Sequence, residues 1–204
     1  MTLTSQAVLA ELDSVLPAKP DSWRDTALHR IVDLFLAGAA LYGDEQVAVF
    51  DEVIARLMQK LDRLQLAELS NRLAPVANAP VRVLGRLARH SDIAVCGPIL
   101  DHAMALPDAD LVEIADKDRV DPNLLIKIST RPQLSTTVTD VLLKRGNKAL
   151  QRKLIDNPNA LISEEGFARV ITSLDGDKNL AGAIAARSDV PDELRVWLTK
   201  TLSG

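Results

Sequence analysis

The chain has 204 residues, 47% apolar and 25% charged, with a net charge of −4 at pH 7 and an isoelectric point near 5.4. These values fit a globular fold with a sizeable core; they exclude a disordered chain and give no overall attraction to nucleic acid or anionic lipid. Aromatic residues make up only 3%, and ten prolines punctuate a chain rich in Leu, Ala, Ile and Val, a mixture that favours short helices over sheets.

Thirteen segments with the helical period, and no convincing alternating strand, predict an all-α fold. A first helix is expected over residues 5–16, closed by Pro17 and Pro20. The second runs from Asp21 or Ser22 to about Leu41, where Gly43 is expected to take the left-handed conformation that ends a helix, and Asp44 to cap a third helix reaching about Arg63. These two make a helical hairpin. In the third helix Val47, Phe50, Ile54, Leu57 and Leu61 form a coiled-coil-like seam. In the second, Leu28, Ile31, Val32, Phe35, Leu36 and Ala39 cover more circumference than one neighbour can bury, so a homodimer is expected, with Leu28, Ile31, Phe35, Ala39, Phe50, Ile54 and Leu57 at its interface. The apolar stretch over residues 31–42 is too short to span a bilayer, which needs about 20 residues, and no membrane partner is expected.

A fourth helix is expected over residues 64–74. Pro75 and Pro80 then change the texture, which divides the chain into an N-terminal helical bundle over residues 1–78 and a helical-repeat region over residues 79–204. Four turns share a pattern when aligned on Ser91, Pro132, Pro158 and Ser188, at intervals of 41, 26 and 30 residues. Eight and four residues before each anchor lie Val83 and Leu87, Leu124 and Ile128, Leu150 and Leu154, and Leu180 and Ile184. Nine residues after come Leu100, Val141, Phe167 and Trp197. One stripe before the turn and another after it are what stacked helix pairs require. The long first interval holds an extra helix over residues 107–117; Ser135 and Ser163 are placed to cap helices, and Pro191 opens the last one.

The runs Arg86-Leu87-Ala88-Arg89-His90-Ser91-Asp92-Ile93, Ser129-Thr130-Arg131-Pro132-Gln133-Leu134-Ser135, Asp156-Asn157-Pro158-Asn159-Ala160 and Glu164-Glu165-Gly166-Phe167-Ala168, in this order, resemble the bacterial family numbered 2336 among domains of unknown function, and the turns are similar to leucine-rich-variant and HEAT-like repeats. The resemblance implies a right-handed α-α superhelix and carries no activity.

No arrangement of nucleophile, base and orienting group emerges, nor any phosphate-binding glycine loop or zinc-binding helix motif, so the chain is read as a non-enzyme. With Cys96 as the single cysteine and His29, His90 and His102 as the only histidines, no structural metal and no cofactor are expected. The first residues lack the cationic start and apolar run of a secretory signal, so a cytoplasmic location is expected. Cys96 reads as a buried small hydrophobe.

A recurring cation is the most informative feature. Arg86, Lys127 and Lys153 stand five residues before the anchors, and His90, Arg131, Asn157 and Arg187 one residue before. The two positions share a helix face. Residues Lys144, Arg145, Lys148, Arg152 and Lys153 add cations with no acid between them. Arg86, His90, Lys127, Arg131, Lys153 and Arg187 are therefore expected to receive an acidic or phosphorylated protein partner, whereas cations in a last helical turn also answer the negative end of the dipole unaided. The leading expectation is a non-catalytic adaptor of unknown pathway. The alternative is a two-component-type phosphotransfer protein, with His29 as phosphoacceptor in a dimeric bundle. Nucleic acid is not expected, because no aromatics interleave with the cations.

Overall fold

The computed structural model describes residues 21–118 and 120–203; the helix expected over residues 5–16 lies outside them. Among the described residues the chain is all-helical. The helices are α1 (Asp21–Gly38), α2 (Asp44–Leu57), α3 (Arg63–Leu73), α4 (Val81–Ala88), α5 (Ile93–His102), α6 (Asp108–Ala115), α7 (Pro122–Ser129), α8 (Thr136–Lys144), α9 (Lys148–Asp156), α10 (Glu164–Thr172), α11 (Lys178–Ala186) and α12 (Asp192–Ser203). Two 3-10 turns, Ala39–Leu41 and Met58–Lys60, extend α1 and α2. No helix among the described residues is long and apolar enough to cross a membrane.

Caps set most of these bounds. Asp62, Asp92, Asp121, Ser135, Asn147, Ser163 and Asp177 each accept a backbone N–H from the first turn of the helix they precede, satisfying donors that have no partner within the helix. At Asp62 the arrangement is reciprocal: its carboxylate accepts from Gln65 N at 2.9 Å, and Gln65 Oε1 accepts from Asp62 N at 2.9 Å. This capping box stops α2 short of the expected Arg63, and Leu61 falls outside the helix. Gly43 is extended, with φ −80 and ψ 171, not left-handed. It precedes α2 as its N-cap while Asp44 is the first helical residue. Among the described residues the left-handed glycines are Gly146 and Gly176, with φ 65 and 82.

The chain divides into two compact units, Met1–Leu106 and Pro107–Gly204. In the first, α1 packs on α2, α2 on α4, α3 on α4 and α5, and α4 on α5. The expected boundary at residues 78 and 79 therefore falls inside this unit, because α4 and α5 bury their apolar faces against α2 and α3. Phe35, Ile54, Leu57, Leu73, Val83, Leu84, Leu87, Ile99 and Leu100 are its core, each no more than 2% exposed. In the second unit one row runs α6, α8, α10 and the other α7, α9, α11, each helix stacking on the next but one in sequence, with α12 packing on α11. Leu111, Ile128, Val138, Leu142, Leu154, Phe167, Val170 and Ile184 fill the space between the rows.

This packing buries much of the expected dimer face within one chain. Leu28, Phe35, Ala39, Ile54 and Leu57 are buried within one chain, and Ile31 and Phe50 are half-buried. Phe35 packs against Phe50 and Tyr42 with ring centroids 5.2 and 6.1 Å apart. The wide apolar arc of α1 is shared between α2 and the 3-10 turn that follows α1, while Leu34 and Leu41 stay 59% and 87% exposed. The repeat anchors follow α4, α7, α9 and α11, as aligned. Most stripe positions are buried, but Leu125 and Leu142, one residue on, replace the half-buried Leu124 and Val141, and Trp197 is 48% exposed.

Candidate functional site

In a stack of helices that end at the same level, each helix leaves its last carbonyls without intrahelical donors, and the next helix of the row lies beside them. That is where two of the recurring cations, Arg86 and Arg187, and the matching Asn157 go. Arg187, after α11, donates from Nη1 to the carbonyls of Ile155 at 3.0 Å, Asn157 at 2.8 Å and Leu154 at 3.4 Å, and from Nη2 to Ala160 at 2.7 Å. Asp189 accepts from Nε and Nη2 at 2.8 and 2.7 Å, and the guanidinium lies over the Phe167 ring, 5.8 Å from its centroid. Asn157, after α9, donates in the same way to the carbonyls of Ser129 at 2.9 Å and Arg131 at 3.0 Å, closing α7. Arg86 of α4 donates to Ala55 O of α2 at 2.7 Å. Arg145 at the end of α8 donates to Ala115 O at the end of α6 at 2.8 Å.

Each clamp joins a helix to the one two places earlier. Two members of the expected six-residue stripe have little free surface: Arg131 is 3% exposed and the Arg187 side chain 8%. His90 accepts from Asp92 N at 3.0 Å within its own turn. Of the basic run over residues 144–153, Lys148 pairs with Asp175 at 2.9 Å and Arg152 with Asp156 at 2.8 Å. The Asp156 hydrogen bond raises the Arg152 pKa above its ordinary value. Lys144 and Lys153 stand exposed, and Lys127 is half-buried.

A groove of about 640 Å³ lies between the C-terminal ends of α9 and α11, with Ile155, Pro158, Leu161, Ala183 and Ala186 as its apolar lining and Arg187, Ser188, Asp156 and Asp189 at its rim. Its origin lies in the repeat. At the position where the aligned helices carry Arg86, Lys127 and Lys153, α11 carries Ala183, whose methyl group leaves open on α9 the place that Arg86 of α4 occupies on α2. Gly182 beside it faces open space: a Cβ added there meets nothing within 4 Å. Leu161 is 57% exposed in the groove wall, and the two rim carboxylates are neutralised by Arg152 and Arg187. The result is an apolar slot bordered by locally balanced charge, with Lys153 on the neighbouring helix. The groove was not read from the sequence. The substitution of Ala183 in the cation series was its only visible sign, and its meaning depends on how closely α9 and α11 approach.

His29 is exposed on α1. Its Nδ1–H donates to Asp25 O at 2.7 Å, and its Nε2 lies 3.6 Å from Glu68 Oε1. A phosphoryl group arriving at Nε2 would meet that carboxylate, so the geometry does not favour a phosphoacceptor. Cys96 is buried. No group of three or more His, Cys, Asp or Glu residues that could hold a metal ion occurs among the described residues.

Comparison with known proteins finds one family profile, that of an uncharacterised protein conserved in bacteria (DUF2336), which matches residues 95–204. No curated protein and no solved structure matches the chain.

Proposed function

Since the chain belongs to the bacterial family DUF2336 through residues 95–204, whose description names no reaction, we propose from the geometry that it is a non-catalytic adaptor. Its second unit seats an acidic or phosphorylated segment of a partner protein along the groove between α9 and α11. The observation that carries this reading is the groove itself: an apolar slot at Ala183 whose other wall is α9, the helix that carries the exposed cation Lys153. An amphipathic segment with an apolar side chain in the slot and a carboxylate or phosphate reaching Lys153 answers both features. Within the reading the rows of stacked helices form a right-handed superhelix and the protein works in the cytoplasm. A homodimer through the α1–α2 seam is not part of it, because that seam is filled within one chain.

The test uses synthetic peptides that carry Leu at helical spacing among Glu or phosphoserine residues, with fluorescence anisotropy as the readout. Wild-type protein binds them and ignores basic counterparts of the same apolar pattern. Ala183→Trp, which fills the slot, abolishes binding, and Lys153→Glu weakens it by about tenfold or more. Both variants keep the wild-type thermal melt, since Lys153 is exposed and Ala183 borders the open groove. A wild type that binds no acidic peptide, or a filled slot that binds as well as before, overturns the reading.

A further inference from the structure

The last helix pair is attached to the second unit differently from the others. α6, α8 and α10 stack in a row, but α12 packs chiefly on α11, and α11 in turn on α9. Over its nine residues α11 has only Leu180 and Ile184 as large buried side chains; the rest of its apolar surface is alanine. Space borders it at both ends. The groove lies at its C-terminus, and a second cavity of about 210 Å³ at its N-terminus is lined by Ile171, Leu174, Gly176, Ala181 and Trp197. The connection from α10 contains two consecutive residues with positive φ, Asp175 at 47 and Gly176 at 82. Thin apolar burial of this kind marks a segment that opens below the free energy of global unfolding.

Two arginines hold this pair. Arg195 of α12 donates to the carbonyls of Arg187 at 3.1 Å and Val190 at 3.2 Å, tying α12 to the end of α11. Arg187 ties that end to four carbonyls of α9 and the turn that follows it. The Lys148–Asp175 pair also ties this end to the stack, but at 64% and 69% exposed an ion pair that open to water contributes little. We propose that α11 and α12 open and close on the second unit as one body, that Arg187 is the latch, and that this motion widens the groove between α9 and α11. The significance of the widening rests on the partner reading above; the motion does not.

Hydrogen exchange of the full chain, followed by mass spectrometry at neutral pH, reads the motion without any ligand. In the wild type, amides of α11 and α12 exchange through a common opening faster than those of α7 and α9. Arg187→Gln accelerates α11 and α12 together by roughly tenfold or more and leaves α7 to α9 unchanged. Asp189→Asn keeps the guanidinium but removes the carboxylate that aims it, and should accelerate the same amides by a smaller factor without threatening the fold. Equal acceleration across α7 to α12 in Asp189→Asn, or α11 and α12 exchanging independently of each other, overturns the proposal. Failure of the acidic peptides to bind sinks the partner reading alone.

Discussion

Asp51 sits on α2 and is 7% exposed, yet its carboxylate serves another helix: it accepts from Arg82 N at 3.0 Å and Val83 N at 2.9 Å at the start of α4. Pro80 precedes α4 and offers no side-chain cap, so Asp51 supplies from a neighbouring helix what Ser135 and Ser163 supply locally to α8 and α10. Asp51→Ala should cost about 2 kcal/mol, because it strips a cap and strands two N–H groups in a buried place. Urea unfolding checks this, and an unshifted midpoint would mean the cap is idle. Asp140 plays a related part from α8, accepting from the hydroxyl of the α10 cap Ser163 at 2.7 Å. The Cβ of a Gly166→Ala variant would lie 2.9 Å from Asp140 Oδ1 and 3.0 Å from Ile162 Cγ2, so that substitution should destabilise by about 1 kcal/mol or more despite the better helix propensity of alanine. The local caps were legible in the sequence, since cap and capped donors lie within three residues of one another. The cap from Asp51 was not, because more than thirty residues separate it from the helix it closes.

At the scale of the element, α2 and α4 are joined at their surface by Glu52, which accepts from Arg56 Nε at 2.9 Å and from Arg82 Nη1. Hydrogen bonds from Arg56 and then Arg82 hold the Glu52 pKa below its ordinary 4.5, against a smaller opposing effect of burial. A lowered folded-state pKa adds stability that is present above about 4.5 and is lost as the pH falls through the folded value. The thermal midpoint of wild type should therefore fall between pH 5 and pH 3 more steeply than that of Glu52→Gln, and the two should differ most above pH 5; parallel profiles would remove Glu52 from the acid response. Among the described residues element type was readable, since the spacing of apolar residues records which face is buried. Ends were readable only where a cap was recognised. The seam from Val47 to Leu61 continues past Leu57 in sequence, while the Asp62–Gln65 box stops the helix.

For the molecule as a whole, a net charge of −4 and an isoelectric point near 5.4 imply that self-repulsion vanishes in mildly acidic solution, so solubility should be lowest near pH 5.4. Light scattering across pH 4 to 8 locates that minimum, and a minimum well away from it would show that the exposed charges do not titrate as ordinary groups. The sequence by itself determined the helical class, the membership of residues 95–204 in the family and the recurrence of a cation before each turn, because composition, period and spacing are properties of neighbours along the chain. Only the tertiary structure decided what the cations do. Arg187 and Asn157 point at carbonyls that a helix two places earlier leaves unpaired, and the groove opens where Ala183 replaces a longer side chain. Helix ends and helix faces meet across the stack at distances in space that no spacing in sequence specifies, and there a charge read as a surface for others proves to be a clamp on its own chain.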